Sequence, residues 1–312
     1  MDISFVILTW NSQSYIVDCL SSYFKTIKES KLNAEFLIVD NGSSDNTISI
    51  VESYFNTHED QQCQGQIYKL SENKGTTIPR NFGLKNAVGE YIIICDSDTV
   101  FKEGNLKEAI DYLNMNPDVG MIAPYLFTQD NKVQHSVKLF PTLTNKFNKV
   151  RNLFIKKRKL KTDYYWQFPW KHKKPVDTAI SAFWLFHRRL LDDVGFLDEK
   201  IFYSPEDLDY CVRVWKANKK IIFYPFLKIL HITQQITHKK KFSLITLSHL
   251  FGLLYYFRKH GYFFSRKKLI KIKVEMENKE NLEFQKRQYV KMGVKLKDRP
   301  ILGIKKNDYM WN

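Results

Sequence analysis

Two pairs of carboxylates stand where chemistry is possible. Asp96 and Asp98 lie one residue apart at the end of the apolar run YIIICDSD (91–98), and Glu206 and Asp207 are adjacent in SPEDLDYCVR (204–213). Ionised carboxylates at the margin of a core are costly unless something positive meets them. Two of them at i and i+2, where a strand gives way to a loop, can reach one hard cation together. Mg²⁺ or Mn²⁺ favours such oxygen ligands and bridges a protein carboxylate to a diphosphate. Charge building on a leaving phosphate is then offset by the metal. A solvated turn can carry the same D-x-D spacing, so the argument rests on its place after a buried strand and on the second acidic pair. That pair has a plainer reading too. Pro205 suits the first turn of a helix, where Glu206 and Asp207 gain from the helix dipole. Asp209 and Arg213 would then form an i,i+4 surface pair. His231, after IIFYPFLKIL, is either a satisfied edge histidine or a further ligand.

The elements that must position these groups follow from periodicity. ISFVILTW (3–10) is a β-rich apolar run, and Asn11 or Ser12 is placed to cap a helix with Ile16, Cys19, Leu20 and Tyr23 on its apolar face. AEFLIVDNGSSDNT (34–47) reads as a strand, a polar loop, and Ser44 or Asp45 capping the next helix. A short strand in GQIYKLSENKG, a helix in TTIPRNFGLKNAVG with Pro79 in its first turn, the strand EYIIICDSD and the helix NLKEAIDYLNMNP complete four βα repeats. That alternation predicts an α/β fold with a mostly parallel sheet flanked by helices. Ligands of such sheets gather beyond the carboxyl ends of the strands. Thr9, Trp10 and Asn11, then Asp40 and Asn41, then Asp96 and Asp98 all fall at strand ends, so three polar loops converge on one edge.

FVILTWN, LIVDNGSSDNT, ENKGTTIPRNFGLKNAVGEYIIICDSD and PEDLDYCVRVWKAN followed by a histidine resemble, in order and spacing, the inverting family-2 glycosyltransferases of the GT-A (Rossmann-like) fold. The branch most similar is the bacterial rhamnosyltransferase-like one of cell-surface polysaccharide synthesis. The resemblance covers residues 3 to 235 and implies a metal-dependent transfer from a nucleotide-diphosphate sugar, dTDP-rhamnose or a UDP-sugar, to a hydroxyl of a glycan or lipid-linked oligosaccharide. It implies that Thr9, Trp10, Asn11, Asp40 and Asn41 hold the nucleotide base, with Asn73, Arg80 and Asn81 lining the same pocket. Arg80 would serve a phosphate or Asp96. By the same resemblance Asp96 and Ser97 face the ribose or donor sugar, Asp98 and His231 hold Mn²⁺ or Mg²⁺, Asp207 is the general base, and Glu206 orients the acceptor or its neighbour. The sequence departs from the family pattern at Val194, at Pro205 and in ISAFWLF. There Trp184 is either a sugar-stacking ring or a buried strand aromatic.

The expected domains are a GT-A domain over 1–235, with a nucleotide-sugar half (1–127) and an acceptor half (128–235), and a basic helical extension over 236–312. Residues 141 to 175 mix Lys and Arg with aromatics and read as a surface insertion. The net charge of +16 gathers late, in KKRKLK (156–161), KHKK (171–174), HKKK (238–241) and RKKLIKIK (266–273). That balance suggests an anionic partner. The apolar helix expected over 239–261, with basic ends, fits an anchor lying on the membrane surface, or an amphipathic helix packed on the core with solvated lysines. No apolar stretch reaches the roughly 20 residues of a span, the first strand starts too early for a leader, and the four cysteines lack metal-ligand spacing. These features predict a cytoplasmic protein, peripheral on the inner membrane face. A nucleic-acid binder or an inactive nucleotide- or glycan-binding relative are the rival classes. The convergent acidic loops argue against nucleic acid, and the intact Asp98, Asp207 and His231 against inactivity.

Overall fold

The protein is described from a computed structural model that covers residues 1–152, 163–165, 168–232, 244–261, 267, 270–276 and 278. Its first half runs β1 (Ile3–Thr9), α1 (Ile16–Ser30), β2 (Ala34–Asp40), α2 (Thr47–His58), β3 (Cys63–Lys69), α3 (Thr77–Asn86), β4 (Tyr91–Asp96), β5 (Thr99–Glu103), α4 (Leu106–Met115) and β6 (Val119–Phe127). The remainder runs β7 (Val137–Lys138), α5 (Leu143–Arg151), β8 (Lys174–Pro175), β9 (Thr178–Ala179), β10 (Phe183–His187), α6 (Leu190–Val194), α7 (Glu206–Lys216), β11 (Lys220–His231) and α8 (Leu244–His260).

β2 buries every residue, and β1 and β4 all but one. Such unbroken apolar runs belong to strands with both faces covered. Helix α1 supplies part of that cover through Ile16, Cys19, Leu20, Tyr23, Phe24 and Ile27, spaced three and four apart. Phe24 stacks on Phe36, and Phe36 on Phe5, with ring centroids 4.3 and 4.6 Å apart.

The main sheet has the strand order β3-β2-β1-β4-β10-β6-β11-β5, and β8 pairs with β11. β3, β2, β1 and β4 are mutually parallel, as are β6 and β11, while β10 and β5 run against their neighbours. The sheet is therefore mixed and mostly parallel, as expected. Between Asp98 and α4 lies β5, a strand that the sequence pattern does not predict. Its antiparallel pairing with β11 sets Thr99 opposite His231 and so carries the histidine to the D-x-D turn.

Of the two expected helix caps, the first is missing and the second is kept by Asp45. α1 starts later than Asn11 or Ser12 would allow, with no side-chain cap, because the Ser12 hydroxyl is engaged with Ser97 instead. Asp45, one residue before the N-cap position Asn46, accepts from the first-turn Thr47 N–H at 3.0 Å. Trp184 is fully buried and stacks on Tyr210 at 5.4 Å, so no sugar reaches it.

Met1–Phe140 with Pro169–Gly261 forms one compact unit, and Pro141–Phe168 with Tyr262–Asn312 a second. The first holds the whole sheet and α8. In the second, α5 lies within the stretch read as a surface insertion, and Lys146 pairs with the buried Asp163 at 2.9 Å. The runs at 156–161 and 238–241 lie outside the described residues.

Candidate active site

The parallel register of β1, β2 and β4 brings three polar loops to one sheet edge. Thr9 pairs with Asp40 and Leu8 with Asp96, and Asn41 N–H donates to the Thr9 carbonyl at 2.9 Å. Asn11 takes a left-handed backbone (φ 51°), and its side-chain oxygen accepts from Ser44 N–H at 2.9 Å. Asp40 is buried, with its two carboxylate oxygens accepting from Ser43 N–H (3.0 Å) and Ser43 Oγ (2.5 Å). Ser12 and Ser97 join their hydroxyls at 2.7 Å and so tie the first loop to the D-x-D turn. Trp10 projects from this edge, 38% exposed, and the Thr9 hydroxyl beside it is buried without a partner.

Asn41 and Asn73 also meet here, but their side chains serve the loops. Asn41 Nδ2 donates to Asn73 Oδ1 (3.0 Å) and to the Gly75 carbonyl (2.7 Å), and Asn41 Oδ1 accepts from Lys74 N–H (2.8 Å). Gly75 sits at φ 80°, and a side chain there would run into the Phe202 carbonyl. Its type is thus required by the close approach of two loops. Asn81 is placed away from this cluster. It spends both ends of its amide on the 197–199 loop, accepting from Leu197 N–H and donating to Leu197 O and Glu199.

Asp96, Asp98 and His231 offer ligand atoms that all lie within 4.8 Å of one another. His231 Nε2 is 3.3 Å from Asp98 Oδ1, while its Nδ1 meets Gln134 Oε1 at 2.9 Å. With Nδ1 engaged by Gln134, it is Nε2 that faces the carboxylates, the orientation a metal ligand needs. Burial disfavours the imidazolium, yet Asp98 and then Asp96 outweigh it and raise the His231 pKa. The pocket therefore favours positive charge at this point. The donor set of two carboxylates and one imidazole fits a divalent cation.

Arg80, on α3, is the second centre of the site. It is buried, and NH2 donates to Asp96 Oδ1 at 2.6 Å while NH1 donates to Glu206 Oε1 at 2.9 Å and Ser181 Oγ at 2.8 Å. Ser181 Oγ in turn donates to Glu206 Oε1 at 2.8 Å. Both ends of the guanidinium are thus held by carboxylates, which answers the question of phosphate or Asp96 in favour of Asp96. Burial, and then Asp207, push the Glu206 carboxyl up to about 7 against the pull of Arg80 and Ser181. Burial also raises the Asp96 pKa, with Asp98 adding to it and Arg80 opposing.

Glu206 and Asp207 open α7, as Pro205 led one to expect. Glu206 is buried, whereas Asp207 is partly exposed and accepts only from the neighbouring Leu208 N–H, at 2.8 Å, among the described residues. Asp209 departs from its expected place. It is fully buried rather than on the surface, and besides Arg213 (2.9 Å) it meets Lys259 (2.7 Å) and His260 (2.8 Å) of α8.

Three residues of the site escaped the sequence reading: Ser181, Gln134 and Tyr203. Burial, and then the carboxylates of Glu206 and Asp96, raise the Tyr203 phenol pKa. None of the three carries a local signal, apart from the position of Tyr203 just before SPED.

The family description Glycosyl transferase family 2 matches residues 4–195. The poly(ribitol-phosphate) beta-N-acetylglucosaminyltransferase TarS of Staphylococcus aureus (strain Mu50) is 34% identical over 115 residues, 36% of this chain and 19% of TarS. The poly-beta-1,6-N-acetyl-D-glucosamine synthase of Staphylococcus epidermidis is 26% identical over 221 residues, 66% of this chain and 48% of that one. The chain thus spans less than half the length of these relatives. Among solved structures, S. aureus TarS 1–349 in complex with UDP-GlcNAc superposes with a TM-score of 0.53 at 19% identity, covering 96% of this chain and 77% of that one. GalNAc-T7 with UDP, GalNAc and Mn²⁺ gives 0.56 at 12% identity over 75% of this chain and 44% of that one. These likenesses establish a shared GT-A-like fold. The family match extends over more than half of the residues and includes both D-x-D aspartates and Arg80, so the chain belongs to glycosyltransferase family 2.

Proposed function

We propose that this protein is an inverting glycosyltransferase that moves a sugar from a nucleoside-diphosphate donor to a hydroxyl acceptor in bacterial surface-polymer synthesis. The observation that carries this reading is the Arg80 bridge. It sets the Asp96, Asp98 and His231 cluster and the Glu206–Asp207 pair on either side of one buried guanidinium, as a donor site and an acceptor site must be.

The roles follow from what each group is free to do. Asp40, with Thr9, Trp10 and Asn11 around it, presents acceptors and a ring to the nucleotide base, held in place by Ser43. Asn41 and Asn73 pin the loops on that side. Asp98, His231 and Asp96 are the groups that would hold the divalent cation. The imidazole favours Mn²⁺ over Mg²⁺, which prefers oxygen alone. When bound, the cation neutralises the diphosphate and the charge that grows as it leaves. Asp207, uncommitted to any cation, takes the proton of the acceptor hydroxyl as its oxygen attacks the anomeric carbon and the carbon–diphosphate bond breaks. Attack from the opposite face inverts that carbon. Arg80 and Ser181 fix Glu206, which shapes the floor beneath the acceptor. The relatives named for N-acetylglucosaminyl transfer favour a UDP-sugar, with dTDP-rhamnose as the other donor class. The acceptor is a glycan or lipid-linked oligosaccharide, and the basic second half suits delivery at an anionic membrane surface.

A thermal-shift panel with UDP, dTDP and GDP, each with and without Mn²⁺, tests the donor half. A ligand that binds only the folded state raises the melting temperature. The expected result is a Mn²⁺-dependent rise with UDP or dTDP. No rise with any diphosphate would remove the donor-site reading.

A further inference from the structure

Helix α8 has one face engaged and one face open. On the engaged face Gly252 lies against the Ser204 carbonyl, at a distance no side chain would permit. Tyr256 and Phe257 are fully buried. Tyr255 Oη donates to Asp198 at 2.9 Å, and Lys259 and His260 meet Asp209 at 2.7 and 2.8 Å. The helix is thereby fastened to the 198–205 loop and to α7, the two elements that deliver Glu206 and Asp207.

The open face carries Leu250 (52% exposed), Phe251 (61%) and Leu254 (51%), with the exposed Arg258 one turn further on. Spacings of one, four and eight residues put these on one side of a helix. Clustered large apolar side chains in contact with water mark an interaction surface. The charge around them selects the partner. No Asp or Glu occurs between Asp209 and Glu275, and Lys and Arg run together at 239–241 and 266–268, before and after the helix in sequence. An apolar face whose flanking sequence is rich in cations and free of acids complements anionic lipid. No helix among the described residues is long and apolar enough to cross a membrane, so the fit is to its surface.

We propose that the open face of α8 lies on an anionic bilayer, with Leu250, Phe251 and Leu254 entering the boundary between headgroups and acyl chains and Arg258 meeting lipid phosphates. The engaged face then holds the loop leading to Asp207 at a set height above the lipid. A lipid-linked acceptor would present its first sugars there, a consequence that rests on the transfer reading, whereas the lipid contact itself does not.

The test uses the full chain. All four native cysteines are buried, so Leu254→Cys takes an environment-sensitive fluorophore selectively, with Met115→Cys, on α4, as the control. Vesicles of phosphatidylcholine alone and with phosphatidylglycerol are titrated in. The expected result is a blue-shifted, brighter signal at position 254 with the anionic vesicles only, and none at 115. Leu250→Ser/Phe251→Ser/Leu254→Ser should lower co-sedimentation with those vesicles about tenfold or more, at an unchanged melting temperature and an unchanged UDP–Mn²⁺ thermal shift. Vesicle binding that leaves the 254 signal still would overturn the proposal and assign binding to the basic runs. A 254 probe already shielded without lipid and unmoved by it would show the face covered by the chain's own residues or a second copy, and would overturn it too. A lipid response without any nucleotide shift would leave the proposal standing and sink the transferase reading.

Discussion

Asp207 is set apart from the other acidic residues of the site by what it lacks. Asp96 and Glu206 are held by Arg80, and Asp98 faces His231. Among the described residues Asp207 accepts only from its neighbour's N–H and is partly exposed, which leaves it free for the proton transfer proposed above. Asp207→Asn keeps the size and the Leu208 bond while removing the basic oxygen. Loss of general-base catalysis costs about 10²–10⁴ in rate. The expected outcome is a kcat lower by that factor with an unchanged UDP–Mn²⁺ thermal shift. An unaltered kcat would take the proton acceptor elsewhere, with Glu206 next in line. At this scale the residue types were legible: acids, a histidine and an arginine at the right spacing. Their partners were not, since a serine such as Ser181 or a glutamine such as Gln134 reads the same whether solvated or engaged.

Between elements, α3 is joined to β4 and α7 by Arg80, a bond across 126 residues of chain to Glu206. Removing one partner of a buried ion pair leaves a buried charge alone and costs about 3–5 kcal/mol. Arg80→Met is therefore expected to lower stability by that order in denaturant titrations. Mn²⁺ should restore part of it, since a cation bound at Asp98 and His231 also answers Asp96. Arg80→Lys should recover less than half, because one ammonium cannot span two carboxylates as the guanidinium fork does. A variant as stable as the parent would show the bridge to be dispensable. Most strands and helices were legible to within a few residues; α5, β7 and β8 fall in stretches given no regular element, and so does β5. That strand is short and solvent-edged, and only its pairing with β11 makes it a strand.

For the whole molecule, the notable decision is the attachment of α8 to the sheet-bearing unit through Asp209. Burial alone would raise the pKa of that carboxyl. His260, Arg213 and Lys259 overcome it and hold the pKa well below the usual carboxylate range. The unfolded chain takes up a proton at this residue near pH 4, while the folded chain stays ionised. Below that pH the unfolded state binds more protons, so stability falls as pH falls and is complete above it. Asp209→Asn should start from a lower melting temperature at pH 7 and lose less between pH 5 and 3 than the parent does. Parallel acid profiles would show that Asp209 does not carry the linkage. Sequence offered Asp209 as a surface i,i+4 partner of Arg213. The pair exists, but the covering helix reaches it through His260, 51 residues further on.

Sequence by itself determined the α/β architecture, the convergence of three polar loops at one sheet edge, and the acids and histidine that could meet a metal and a hydroxyl. Those features are local: apolar periodicity sets the elements, and parallel strands must end on the same edge. Tertiary structure alone decided the rest. β5 pairing with β11 brings His231 to Asp98, Arg80 joins Glu206 to Asp96, Trp184 sinks into the core, and one face of α8 is occupied while the other stays open. Each of these depends on which distant segment arrives to satisfy a buried charge or cover an apolar surface. No window of neighbouring residues contains that information.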